Sequence, residues 1–169
     1  MAVGGHNGAD TSAYASLQAS RYESFTPVVL VLKTILRQTK LDEPFMGGLG
    51  SYKLYVLVAH HIEQHLSIGG RDCPSQVLLL FWFRYGQIKG HSPKRAMLTE
   101  LTNDTTVRTR DGAEADLSNV YLLDHLIQLF QQCWKRTWTL LHKHQATVRK
   151  RNLSSETDNA ARAPASYLN

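Results

Sequence analysis

The run Val77-Leu78-Leu79-Leu80-Phe81-Trp82-Phe83 lies between Pro74 and Gly86 and is apolar at every position. Proline suits the first turn of a helix and glycine the position past its end, so the segment reads as a helix started by Asp72 or Cys73 before Pro74. A helix that is apolar on all sides has no face to give to water and belongs in the middle of a domain. Any fold for this chain must supply the elements that surround it. With 169 residues, 43% of them hydrophobic, there is material for one core and too little for two ordinary domains.

The neighbouring segments supply helices. Asp10 or Ser12 is placed to cap a first helix through Ser24, with Tyr14, Leu17 and Arg21 on one side; its apolar stripe is thin, which puts it on the surface. Thr26-Pro27 opens a second helix over residues 28–40, a capping hydroxyl followed by a proline at the first helical position. Leu41 to Gly50 is a loop punctuated by Pro44 and glycines, and Ser51 caps a third helix carrying Leu54, Leu57, Val58, Ile62 and Leu66 at helical spacing, ended by Gly69-Gly70. Residues 89–112 turn polar, and Met97-Leu98-Thr99-Glu100-Leu101 with Thr105-Thr106-Val107-Arg108-Thr109 has the pattern of a short hairpin across Asn103-Asp104. Asn119 caps a last helix in which Leu122, Leu126, Phe130, Trp134, Trp138 and Leu141 recur at steps of three and four. Trp82, Trp134 and Trp138 read as core or domain-interface packing. The expected fold is mainly α, with at most a short hairpin: one domain over residues 1–144, and a polar, disordered tail over 145–169.

The charge balance, 19 Lys+Arg against 14 Asp+Glu with a pI near 9.3, leans towards anionic partners. Cys73 and Cys133 stand far apart without a CxxC, which fits a reducing, intracellular compartment and gives no disulfide framework. Residues 1–10 lack the charged start and apolar run of a signal peptide, and no stretch reaches the length of a membrane span. His60, His61 and His65 with Glu63 raise a zinc site, but nothing is placed to complete four ligands, and surface or capping roles fit them better. His142 and His144 read as cations near the negative end of the last helix. For Val148-Arg149-Lys150-Arg151 two readings stand: a nuclear-import or RNA-backbone patch, or a solvated tail.

One combination carries more chemistry. The second helix is almost entirely apolar, yet Lys33, Arg37 and Lys40 stand at i, i+4 and i+7, one narrow basic stripe on a helix otherwise suited to burial. Close behind it, Gly47-Gly48-Leu49-Gly50-Ser51-Tyr52 brings together flexible backbone, a hydroxyl and a helix N-terminus. Free N–H groups and the dipole at such a terminus favour phosphate oxygens, and Ser51 donates one more hydrogen bond. Tyr52 offers an aromatic face to a base. Taken singly, the stripe is a solvated face and the glycine loop a turn; together they describe a nucleotide site.

These residues carry a resemblance. Pro27-Val28-Val29-Leu30-Val31-Leu32-Lys33, Arg37, Leu41-Asp42-Glu43-Pro44-Phe45 and Gly47-Gly48-Leu49-Gly50-Ser51-Tyr52-Lys53-Leu54 are similar to the PAP-associated central domain of non-classical poly(A) and poly(U) RNA polymerases, within the DNA-polymerase-beta-like nucleotidyltransferase superfamily. The resemblance is strongest over residues 26–86. It implies that Lys33 and Arg37 hold the triphosphate of an incoming nucleotide, that Gly50 and Ser51 add phosphate contacts, and that Tyr52 stacks on the base. Asn7-Gly8 resembles the asparagine that touches the nucleotide sugar or base. Asp116-Leu117-Ser118-Asn119-Val120 resembles a degraded nucleotide-recognition loop, making Asn119 a site residue, and Ser118, where uridylating relatives carry a histidine, leans towards ATP as the nucleotide.

The departure from the family is the absence of any Asp-x-Asp pair. Phosphoryl transfer of this kind needs two metal ions held by carboxylates, so the chain is expected to lack the catalytic α/β domain and to be inactive alone, whether as a truncated piece or as a remnant. No catalytic residue is assigned. Mg2+ or Mn2+ is expected only with that domain. The expected partners are a nucleoside triphosphate, an RNA 3′ end and RNA-surveillance proteins, in the nucleus or the cytoplasm. The rival is a non-catalytic nucleotide- or RNA-binding scaffold module. Apolar surface is expected on the helices from Val28 and Val77, which a missing domain would cover.

Overall fold

The computed structural model describes residues 8–86 and 106–161, with side chains as far as Arg151. The order is α1 (Gly8–Arg21), α2 (Phe25–Gln38), a 3-10 turn (Pro44–Met46), α3 (Ser51–Ser67), α4 (Pro74–Tyr85), β1 (Thr106–Arg108), β2 (Glu114–Asp116) and α5 (Leu123–Ala161). The fold is mainly α, as the periodicity predicts. The chain divides into two compact units, Met1–Trp134 and Lys135–Asn169.

The spine of the first unit is α3, and not α4 as the apolar run suggests. α3 packs against α1, α2, α4 and both strands. It buries Leu54, Val56, Leu57, Val58, Ala59 and Ile62 together with His61, Glu63 and His65. α4 buries Val77, Phe81 and Tyr85, while Leu80 and Phe83 remain 37% and 42% exposed. Hydropathy missed the centre because three polar residues of α3 are buried with partners, and a satisfied polar group is far less costly to bury than a bare one.

Those partners lie on neighbouring segments and all but one are backbone groups. His61 Nε2 donates to the Val77 carbonyl at 3.0 Å, and its ring meets Phe81 and Tyr85 edge-on. His65 Nε2 donates to Arg71 O at 3.0 Å, and His60 Nδ1 to Arg108 O at 2.8 Å. A carbonyl only accepts, so each of these ring nitrogens carries its proton. Glu63 accepts from the Arg110 amide at 2.9 Å and from the Tyr22 hydroxyl at 3.3 Å. The histidines and Glu63 thus pin α4, a loop, the hairpin and the segment after α1 to one helix.

Several boundaries differ from the sequence reading. α2 starts at Phe25, ahead of Thr26-Pro27, with Ser24 as its cap residue, and the Glu23 and Ser24 amides just before it donate to the Asp72 carboxylate at 2.7 and 3.1 Å. Asp72 thus anchors the segment entering α2, and Cys73 stands at the cap of α4. On α1 the inward residue is Gln18, fully buried, while Leu17 faces out; Gln18 Nε2 and Arg21 both donate to Asp111, at 2.6 and 2.7 Å. β1 pairs antiparallel with β2, Val107 opposite Ala115; the predicted partner over Met97 to Leu101 lies outside the described residues.

The last helix begins at Leu123, so Asn119 does not cap it, and it continues past His144 to Ala161. No Gly or Pro interrupts residues 123–161, so nothing in the backbone chemistry ends it at 144, where the disordered tail was expected to begin. Trp82 and Trp134 are half-buried, with Trp134 against Phe83, whereas Trp138 is 48% exposed and does not join a core. Leu30 and Val31 on α2, Leu80 and Phe83 on α4, and Phe45 and Met46 in the 3-10 turn make up exposed apolar surface.

Candidate functional site

A cleft of about 620 Å³ opens where α1, the glycine loop, the first turns of α3 and the segment before α5 meet. Gly8, Thr11 and Ser12 line it from α1, Pro44, Gly48 and Gly50 from the loop, Ser51, Tyr52, Lys53 and Tyr55 from α3, and Asn119 from the far side.

The loop is built by short backbone bonds. Gly48 N donates to Glu43 O at 2.9 Å and Leu49 N to Leu41 O at 2.7 Å, folding the chain back so that it leads straight into α3. Gly47 takes φ +85°, a left-handed conformation that favours glycine, and its carbonyl accepts from Leu122 N at 2.9 Å. That last bond draws the segment before α5 against the loop and brings Asn119 to the cleft. Gly50 is the cap residue of α3 and no side chain caps that end. The wall of the cleft thus includes a helix N-terminus with the Ser51 hydroxyl beside it.

Four of the sequence-predicted site residues, Gly50, Ser51, Tyr52 and Asn119, line this one cleft. Lys33 joins it indirectly: its Nζ donates to the Tyr55 hydroxyl at 3.2 Å, 5.5 Å from the centre of the same ring. Arg37, one turn further along α2, is exposed and does not line the cleft. Asn7 lies outside the described residues.

Lys53 is the residue that the sequence reading passed over. It follows Tyr52 directly and lines the cleft, and its Nζ donates to Asn119 Oδ1 at 3.2 Å. Because an ammonium group only donates, the amide oxygen of Asn119 must face it, which leaves the amide NH2 as the outer edge. Burial lowers the Lys53 pKa, with Asp116 opposing. The available signal was a lysine among the apolar residues of α3, beside a residue already chosen. Tyr55, Thr11 and Ser12 carried no comparable pattern.

Tyr52 is half-buried with its ring tilted against Tyr14, centroids 5.8 Å apart, and burial raises its hydroxyl pKa. Tyr14 is more strongly desolvated, and its pKa also rises. Both phenols stay neutral at physiological pH, so the cleft's fixed charge comes from Lys53, with Lys33 behind Tyr55. Among the described residues, no Asp, Glu, His or Cys lines the cleft, and no cluster of three such residues suited to a metal ion occurs. The donor set does not fit the divalent ions that nucleotidyl transfer requires. The chemistry available is therefore the binding of an anion together with a flat ring. Comparison of the chain with family models, with curated proteins and with solved structures finds no match. No helix among the described residues is long and apolar enough to cross a membrane.

Proposed function

We propose that the chain binds a nucleoside triphosphate as the nucleotide-holding helical domain of a template-independent RNA 3′-terminal nucleotidyltransferase of the non-classical poly(A) polymerase kind. The observation that supports it is the convergence of Gly50, Ser51 and Tyr52 with Asn119 around one cleft that also holds an ammonium group. In this reading Ser51 and the N-terminus of α3 receive phosphate oxygens, Lys53 and Lys33 supply positive charge, and Tyr52 carries the base. ATP is the nucleotide to which Ser118 points. Arg37, exposed one turn along α2 from Lys33, contributes by long-range attraction alone. Any metal-dependent step belongs to carboxylates of another domain, and none is assigned to this chain.

The carboxylate-free cleft equally favours a second reading, a non-catalytic nucleotide- or RNA-binding scaffold module. The first reading requires a nucleoside triphosphate in the cleft, whereas the second can be met by RNA alone. Titration with ATP and with inorganic tripolyphosphate, beside an RNA tailing assay with magnesium or manganese, separates them. ATP binding that falls sharply in Lys33→Ala is expected, and Tyr52→Ala is expected to lose about tenfold for ATP while tripolyphosphate binding holds. Equal losses for both ligands in Tyr52→Ala would remove the stacking role, and absence of ATP binding would end the nucleotide-holding reading. Binding without tailing supports the nucleotide-holding domain, absence of both leaves the RNA-binding scaffold ahead, and tailing by the chain would place catalytic carboxylates within it.

A further inference from the structure

The positive balance of the chain does not reside in the cleft. Lys135, Arg136, Lys143, Arg149, Lys150 and Arg151 all lie on α5, and no acidic residue occurs anywhere in residues 125–155. This stretch carries +6 where the whole chain nets +5. Every residue of it from Lys135 to Arg151 except half-buried Thr137 is exposed. At 100° per residue, Lys135, Arg136, Lys143, Arg149 and Lys150 fall within an arc of about 140°, over roughly 24 Å of helix. His142 stands inside the arc and Trp138 at its edge, the two rings in edge-on contact with centroids 4.5 Å apart.

Like charges on one helix face repel each other and weaken the helix unless an anion is supplied from outside. A solvated helix normally mixes the two signs, and the stretch of α5 between Asp124 and Glu156 carries one sign only. The ligand is therefore an extended polyanion. We infer that the segment of α5 from Lys135 to Arg151 binds the phosphate backbone of a single-stranded nucleic acid, with Trp138 as a stacking platform for a base at the edge of the cationic face. A cationic track flanked by an aromatic ring is the combination that holds single strands without sequence preference. An anionic membrane would need a continuous apolar face opposite the charges. Here Leu140, Leu141 and Val148 are the only large aliphatic residues between Lys135 and Arg151, too few to seat the helix in lipid.

The inference is independent of the nucleotide cleft, since every residue it uses lies in the second unit. The test is the salt dependence of fluorescence anisotropy of a labelled, unstructured single-stranded RNA on the full chain, with the DNA of the same sequence and phosphatidylserine vesicles as parallel arms. Binding of the strands but not of the vesicles is expected, and the tighter of RNA and DNA identifies the natural strand. The triple variant Lys143→Gln, Arg149→Gln, Lys150→Gln is expected to reduce the slope of log affinity against log salt by about 2, at roughly 0.7 per phosphate contact. Trp138→Leu is expected to weaken binding about tenfold with the slope unchanged. A slope unaltered in the triple variant, with its helix content intact by circular dichroism, would overturn the inference, as would binding to vesicles alone.

Discussion

Gly48 occupies a place where a side chain has nowhere to go: a Cβ there would run into the Leu41 carbonyl and the Glu43 amide, both backbone groups that cannot swing aside. The same residue lines the cleft. Gly48→Ala is therefore expected to cost about 1–3 kcal/mol in urea denaturation, and to alter ligand binding beyond that cost because the wall itself must move. A melt indistinguishable from the parent chain would show that the loop relaxes freely. Lys53 poses a different problem at the same scale. Its role was hidden in the sequence because a lysine on a helix is ordinarily a solvated residue. Only the approach of Asn119, set by a backbone bond between Gly47 and Leu122, turns it towards a partner.

The helices were legible as elements because proline, glycine and apolar spacing act locally. Their caps and their order of burial were not. The segment entering α2 is anchored by Asp72, 48 positions from Ser24, and no local pattern announces an anchor supplied from another segment. Asp72→Ala should lower stability by about 1 kcal/mol, and Asp72→Asn should retain most of it, since the amide oxygen still accepts. Equal losses in the two variants would mean that the charge near the helix N-terminus matters more than the hydrogen bond. α3 was misjudged for a related reason. Its histidines and Glu63 look like a polar face in sequence, and only backbone donors and acceptors on other elements reveal them as interior. Within the candidate site, the stretch from Gly50 to Tyr52 was readable because its residues are neighbours. Asn119 was reached through a resemblance, and its earlier reading as a helix cap did not hold. Arg37 shows the limit of a stripe argument, because sharing a helix face with Lys33 does not bring its side chain to the cleft.

For the whole molecule, buried titratable groups set the response to acid. Burial is the largest cause holding His61 neutral, and its pKa falls to about 3 in the folded chain. An unfolded histidine takes up its proton near 6.5, so between these values the unfolded state binds more protons and stability drops as pH falls. The expected slope approaches about 1.4 kcal/mol per pH unit from this group. Burial alone would raise the Asp111 carboxyl, but Thr109, Gln18 and Arg21 outweigh it and lower its pKa. Its contribution is present above the ordinary carboxylate range and is lost as pH falls through the lowered value. Urea midpoints measured across this range for the parent and for His61→Phe test the assignment: the variant should show a flatter acid limb, and identical slopes would contradict it. The Asp72 and Asp111 contacts have a further consequence, in time rather than in energy. A chain leaving the ribosome makes α2 long before Asp72 has emerged, and α1 waits 93 positions for the carboxylate that Gln18 binds. Contacts so distant in sequence form late. During synthesis the first two helices therefore go without these two carboxylate anchors until residues 72 and 111 have emerged.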